Sequence, residues 1–206
     1  MGGRTWTNWV GNQTCAPAAI VRPRDEDEVV AAVREAVAGG HRVRVAATGH
    51  SDTPVCLTDG VMLDLADLTG VVAVDRQRCR ATALAGTTVA AFGDPLWDAG
   101  LSLANQGDID TQQIAGAIGT GTHGSGITLG SFSAALRRAR IVTATGDVLE
   151  VSESTPELLR AAQVAIGMLG VMTEVEVAVV PAYRIRERNL HLPYAEVVAR
   201  WDELVA

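Results

Sequence analysis

The run Gly119-Thr120-Gly121-Thr122-His123-Gly124, GTGTHG, decides between two fold classes. It satisfies G-x-G-x-x-G, the phosphate-binding turn of a doubly wound parallel sheet, where the motif opens a helix and a carboxylate follows about 20 residues on. Neither condition is met. The continuation, Ser125 to Phe132 (SGITLGSF), is β-branched and broken by glycine, and the carboxylate nearest the expected spacing, Asp147, falls in a turn. The nicotinamide-dinucleotide reading of this segment is rejected.

The sequence on either side supports a different class. Arg140 to Ala144 and Val148 to Val151 are β-rich runs separated by Thr145-Gly146-Asp147, a hairpin signal. Ser154-Thr155-Pro156-Glu157 opens a helix predicted to end near Gly167, and Val171 to Val180 alternates as a long strand. Upstream, strands are predicted at Arg42 to Ala47, Val61 to Leu65, Val71 to Asp75 and Arg80 to Leu84, and a helix at Thr88 to Ala99. Another helix follows Pro23, with Asp25 as cap, Glu28 three residues on, and Gly39-Gly40 as its stop. Strands and helices do not alternate regularly, so the class is α+β. Trp6 and Trp9, in an N-terminal stretch without periodicity, are large apolar groups expected to pack on the rest.

The glycines of the opening segment still need a cause. Gly116, Gly119, Gly121, Gly124 and Gly126 fall within eleven residues, among the apolar Ile114, Ala115, Ala117 and Ile118. Residues 104–130 are read as having no helical period. An apolar, glycine-rich stretch suits buried backbone that approaches a large ligand better than it suits a solvated linker. A second loop, Ala46-Ala47-Thr48-Gly49-His50-Ser51-Asp52, leaves a predicted strand and carries a histidine between two small residues.

Composition removes whole classes of chemistry. Across 206 residues the net charge is -7, which disfavours nucleic acid and anionic membranes as partners. All 17 cationic residues are arginine. Without lysine this stretch can form neither a Walker A loop nor a pyridoxal Schiff base. Cys15, Cys56 and Cys79 are odd in number and widely spaced, which fits a reducing, cytoplasmic setting and neither a disulfide framework nor a structural zinc site. His50, Asp52 and Cys56 lack a further ligand at a recognisable spacing, so no metal is expected. No apolar leader and no membrane span is expected.

Three phrases together, ATGHS, GDIDTQQIAGAIGTGTHGSG and IGMLGVMTEVEV, resemble the flavin-binding domain of the aldonolactone and alditol oxidases, in the wider vanillyl-alcohol-oxidase group. NWVGN and MLDLADLTGVVAVD are similar too, so the resemblance covers about residues 5 to 182. It implies an FAD-binding domain over residues 1–182, with the flavin between two α+β lobes of about 15–75 and 77–181. Residues 183–206 would begin a C-terminal substrate or cap domain. The implied cofactor contacts are Val45, Ala46, Ala47, Thr48, Gly49, His50 and Ser51 around the pyrophosphate. Gly107, Asp108, Gln113, Gly116, Thr120, Gly121, Thr122 and His123 match on the second lobe, and Val171 or Met172 toward the adenine.

The resemblance further implies that His50 bonds covalently to the flavin 8α-methyl carbon. An imidazole nitrogen is a competent nucleophile for that role. It implies oxidation of a polyol or lactone CH–OH group by dioxygen, giving hydrogen peroxide, with this stretch alone inactive. In the family the groups that assist removal of the substrate hydrogen lie on the cap domain, so no catalytic base is assigned. A stand-alone flavin-binding module and a same-fold NADPH-dependent enolpyruvyl nucleotide-sugar reductase are the alternatives. His41 and His191 are read as surface residues. Pro193 would open an amphipathic helix carrying Val197, Val198, Trp201, Leu204 and Val205.

Overall fold

The computed structural model describes residues 5–205; residues 1–4 and 206, the outermost positions of the expected domain limits, lie outside the described residues. The chain opens with β1 (Trp6–Thr7) and β2 (Thr14–Cys15), a small antiparallel hairpin. Next come β3 (Ala19–Val21), α1 (Glu26–Ala38), β4 (Val43–Ala46) and β5 (Val61–Asp64). Strands β3, β5 and β4 form a parallel sheet in that order. Asp25 caps α1 as its sequence predicts, its side chain accepting from the Glu28 N–H. The reciprocal bond shifts by one residue, since the Glu28 carboxylate takes the Arg24 N–H at 2.8 Å.

The second layer begins with β6 (Val71–Asp75) and β7 (Arg80–Leu84), followed by α2 (Val89–Asp98) and β8 (Leu101–Ser102). Two short helices follow, α3 (Ile114–Gly119) and α4 (Phe132–Ala135). The remaining elements of this layer are β9 (Leu136–Val142), β10 (Val148–Ser152), α5 (Pro156–Gln163), β11 (Val171–Ala178) and β12 (Val180–Pro181). A five-stranded sheet in the order β10-β9-β11-β7-β6 is antiparallel at every pairing. The architecture is α+β in two lobes, as the rejected fingerprint and the hairpin require. Because β6 pairs with β7, the hydrogen bonding divides the lobes before Val71, not after Asp75.

Several elements depart from the sequence reading, each for a physical reason. Residues 114–119 are helical although glycine-rich: Ile114, Ala117 and Ile118, at i, i+3 and i+4, are all buried, and this packing overrides the low propensity of glycine. Strand β9 starts four residues before Arg140. Its charged start is held by cross-strand partners, Arg138 to Glu174 at 2.6 Å and Arg137 to Glu153 at 3.5 Å. Helix α5 stops short of Gly167 because the Ile166 N–H is drawn to the Gly119 carbonyl at 3.1 Å. The C-terminal helix breaks at Arg200 into α6 (Tyr194–Ala199) and α7 (Trp201–Val205), neither with a buried residue.

Two apolar clusters fill the lobes. Phe92, Leu96, Ile114, Leu136 and Ile141 belong to the second-lobe core. Val29, Val33, Leu63 and Leu65 fill the first, and Val142 and Val171 of the five-stranded sheet are part of it. The lobes are also joined by charge. Arg140 on β9 donates to Glu26 at the start of α1 through Nε at 3.0 Å and Nη2 at 2.6 Å, and the Thr173 hydroxyl donates to the same carboxylate at 2.6 Å. At Gly86 the chain passes so close to the Leu65 and Leu68 carbonyls that an added Cβ would overlap them, which explains glycine there. Among the described residues, no helix is long and apolar enough to cross a membrane.

Candidate functional site

A cleft of about 360 Å³ runs between the lobes. On the first-lobe side it is walled by Val45 and Ala47, where β4 ends and the histidine loop begins, with Val55 and Cys56 beyond. On the second-lobe side the wall is α3 and the turn after it: Gln113, Ala115, Gly116, Gly119 and Thr120. The far wall is the end of β9 (Ile141 to Ala144) and the segment from Ala165 to Met172. Gly116 faces Ala47 across the gap, where an added Cβ would sit 3.5 Å from the Ala47 Cβ.

Of the residues predicted from sequence, Val45, Ala47, Gln113, Gly116, Thr120 and Val171 line this cleft, and so does Met172. Ala46 is buried behind the wall, at the edge of the parallel sheet. Thr48, Gly49, His50 and Ser51 continue from Ala47 past the cleft, where Gly49 turns the chain with φ +76°. The group Gly107, Asp108, Gly121, Thr122 and His123 does not line the cleft. Gly107 meets this glycine turn, since a Cβ on it would lie 3.4 Å from the Thr122 methyl and 3.5 Å from the His123 carbonyl. His123 is spent locally, its Nδ1–H donating to the Gly124 carbonyl at 2.9 Å.

His50 has a distinct environment. Its Nε2 is 3.0 Å from the Thr111 hydroxyl of the second lobe. The Trp9 ring lies 5.2 Å away, inclined by 39°. Its Nδ1 is shielded from solvent and has no hydrogen-bond partner among the described residues. Buried polar atoms are nearly always paired, so this nitrogen is an exception among the described residues; it is covered by protein and does not open onto the cleft.

Sequence reasoning overlooked part of the site. Thr111 stands within the second phrase but outside the implied cofactor contacts and outside the cleft lining; its bond to His50 joins the two lobes. The segment Ala165 to Gly170, where the sequence predicts only a helix stop near Gly167, contributes a wall in which Ile166 takes φ +51° and Gly167 φ +75°. The glycine pair Gly167 and Gly170 was the available signal. Cys56, for which neither a disulfide nor a metal is expected, lines the cleft, and burial pushes its thiol above the ordinary value. His41 is exposed, as expected of a surface residue, but it also lines the cleft's outer mouth.

Residues 17–152 match the family described as FAD binding domain. Over 200 residues the chain is 41% identical to L-gulono-1,4-lactone dehydrogenase of Mycobacterium tuberculosis, covering 97% of this chain and 46% of that protein. Over 201 residues it is 32% identical to L-gulonolactone oxidase of Bos taurus, covering 97% and 46%. To D-arabinono-1,4-lactone oxidase of Kluyveromyces lactis it is 30% identical, covering 96% and 38%. The chain thus spans less than half the length of these curated relatives. Among solved structures, 6-hydroxy-D-nicotine oxidase from Arthrobacter nicotinovorans superposes with a TM-score of 0.74 at 26% identity, over 87% of this chain and 42% of that one. Cholesterol oxidase from Brevibacterium sterolicum shares the fold, with a TM-score of 0.77 at 20% identity over 87% and 37%.

Proposed function

The chain belongs to the FAD binding domain family and its cofactor is FAD; on that premise we propose that it is the cofactor-holding portion of an oxidoreductase that oxidises a CH–OH group of a sugar lactone or sugar alcohol. The carrying observation is the interlobe cleft, walled by Val45 and Ala47 at the start of the histidine loop and by Gln113, Gly116 and Thr120 of the glycine-rich phrase. The residues fit a long flat cofactor. Gly116 brings no side chain to the narrow point opposite Ala47, where a Cβ would already be in contact, and His50 follows three residues after Ala47.

In this reading Ala47 to Ser51 hold the pyrophosphate, Gln113, Gly116 and Thr120 press from the opposite lobe, and Val171 contacts the adenine end. FAD, when bound, supplies the two-electron acceptor. The protein's part is to exclude water along the cleft and to fix the ring end beside His50, through which we assign covalent attachment. The names of the relatives support lactones over the reductase alternative. Free thiols at Cys15, Cys56 and Cys79 support a cytoplasmic setting.

Dioxygen is the proposed acceptor: the resemblance places Gly107 by the reactive edge of the flavin ring, and its backbone lies outside the left-handed region although it does not line the cleft itself. A turn therefore does not demand glycine here, and the missing side chain leaves room of about one methyl group. A second reading, with another acceptor, is favoured by the dehydrogenase named as a relative at 41% identity. The test is the full-length protein, supplied with L-gulono-1,4-lactone, D-arabinono-1,4-lactone and a linear alditol. Bleaching of the flavin absorbance by one of them in the absence of air, with peroxide formed on aeration, is expected. A flavin that none of the three bleaches would refute the substrate class.

A further inference from the structure

We propose that the hairpin of residues 6–15 is the positioning element that aims His50, acting through Asn8, so that covalent attachment and FAD binding are separable properties of this chain. The inference rests on His50 being the attachment point. None of residues 6–15 lines the interlobe cleft, and all of them precede the 17–152 match. The hairpin instead grips the loop that carries the histidine.

Its grip falls on both sides of His50. The Trp9 N–H donates to the Gly49 carbonyl at 2.9 Å, one residue before the histidine. Asn8 Nδ2 donates to the Ser51 carbonyl at 3.0 Å, one residue after it. Gln13 Nε2 reaches the Asp52 carbonyl at 3.1 Å. Asn8 is 4% exposed and its polar atoms are fully used. Its Oδ1 accepts from the Gly11 and Gln13 amides, both at 3.0 Å, and Nδ2 also donates to Asn12 Oδ1 at 2.8 Å. Loop and hairpin touch without a gap: a Cβ on Gly49 would stand 3.2 Å from Asn8 Cα, the Trp6 ring and the Trp9 nitrogen. Trp9 then lays its ring beside the imidazole. One side chain thus shapes the hairpin turn with its oxygen and fixes the histidine loop with its nitrogen.

Orientation is what the bonding step needs. An imidazole nitrogen of His50 forms a bond to the flavin 8α-methyl carbon; that carbon loses one hydrogen, the ring loses its N–H proton, and two electrons with two protons leave to dioxygen as hydrogen peroxide. A nucleophile displaced by about 1 Å can lose roughly a hundredfold in rate, whereas binding spread over a whole cleft is little affected.

Asn8→Asp separates the two roles of Asn8. The carboxylate still accepts from the Gly11 and Gln13 amides, so the turn survives, but it meets the Ser51 carbonyl as acceptor against acceptor. The full-length apoprotein is incubated with FAD in air and sampled by acid precipitation, pelleted flavin reporting the bond. FAD affinity is measured anaerobically by flavin fluorescence, and the thermal midpoint is recorded. Asn8→Asp is expected to slow attachment about tenfold or more with FAD affinity unchanged, while its midpoint falls because a buried carboxylate replaces an amide. Gln13→Ala, which removes one grip without adding charge, is expected to slow attachment about twofold to fivefold with affinity and midpoint unchanged. Attachment by Asn8→Asp at the wild-type rate, or a loss of FAD affinity in step with the slowed attachment in either variant, overturns the proposal. If wild type bonds flavin, His50→Ala does not, and both hairpin variants behave as wild type, only the hairpin's role falls. If wild type never bonds flavin, the attachment reading falls and takes this one with it.

Discussion

The imidazole of His50 and the hydroxyl of Thr111 stand 3.0 Å apart, Nε2 to Oγ1, although 61 residues separate them in the chain. One belongs to the loop leaving β4 and the other to the approach to α3, so the bond crosses from lobe to lobe where the cleft gives way to the histidine. A hydroxyl can donate or accept, and so can stay paired with the ring in either protonation pattern.

Replacing His50 with alanine is expected to release the flavin from covalent attachment while leaving it bound. In the full-length protein, acid precipitation should carry flavin down with wild type and leave it in the supernatant with His50→Ala. Absorbance of the two fractions reads the result, and wild-type flavin found wholly in the supernatant would be the contrary outcome.

Gly116→Leu should weaken FAD binding without unfolding the domain. Leucine is a better helix former than glycine, so α3 tolerates it. Its side chain enters the gap opposite Ala47, where even a Cβ is already in contact. Overfilling of this kind costs roughly 1–3 kcal/mol, about a 5- to 150-fold weaker affinity. Fluorescence titration with FAD checks it, with the thermal midpoint of the apoprotein as control.

Gly107→Ala is expected to fold normally, because its backbone is not left-handed and its new methyl meets Thr122 and His123 only at ordinary contact distance. In the full-length protein it should slow reoxidation by dioxygen well beyond any effect on reduction by substrate. Stopped-flow records of the two half-reactions decide this, and an unchanged oxygen rate would end the steric argument.

Acid should loosen the joint between the lobes. Arg140, helped by the Thr173 hydroxyl, holds the Glu26 carboxyl below its ordinary value of 4.5, against an opposing push from burial. A depressed carboxyl contributes stability above its unfolded value and loses it as pH falls through the folded one. Glu26→Gln should therefore cost about 1–2 kcal/mol at pH 7, a charge-assisted bond discounted for its partial exposure. The difference from wild type should shrink as the pH drops below about 4.5. Urea unfolding of both proteins at pH 7, 4 and 3 supplies the comparison.

Local chemistry made much of the fold legible. The cap at Asp25, the hairpin around Gly146 and the alternation of β11 are written in adjacent residues, though β11 ends at Ala178 and Val180 turns to pair with Ser102 of β8. Helix α3 was hidden because glycine masks a helical period that Ile114, Ala117 and Ile118 in fact keep. The start of β9 was hidden because Arg137 and Arg138 look like a solvated pair until strands distant in sequence bring Glu153 and Glu174 beside them. The site divides the same way. Loops with small residues announced the cleft, and Gly167 with Gly170 signalled its far wall, while the contacts of Thr111 and Asn8 with the histidine loop are tertiary.

The placement of Val142 and Val171 in the first lobe's core also imposes an order in time. Three short parallel strands and one helix bury too little to stand alone. Their missing neighbours lie more than 70 residues downstream, on β9 and β11, and β11 sits between β9 and β7. On the ribosome, the first lobe is then expected to keep part of its apolar face uncovered until β11 has emerged. The last-made central strand completes both cores at once, so the first lobe is synthesised early but folds late. Chaperone demand should then peak while residues 70 to 170 are being translated.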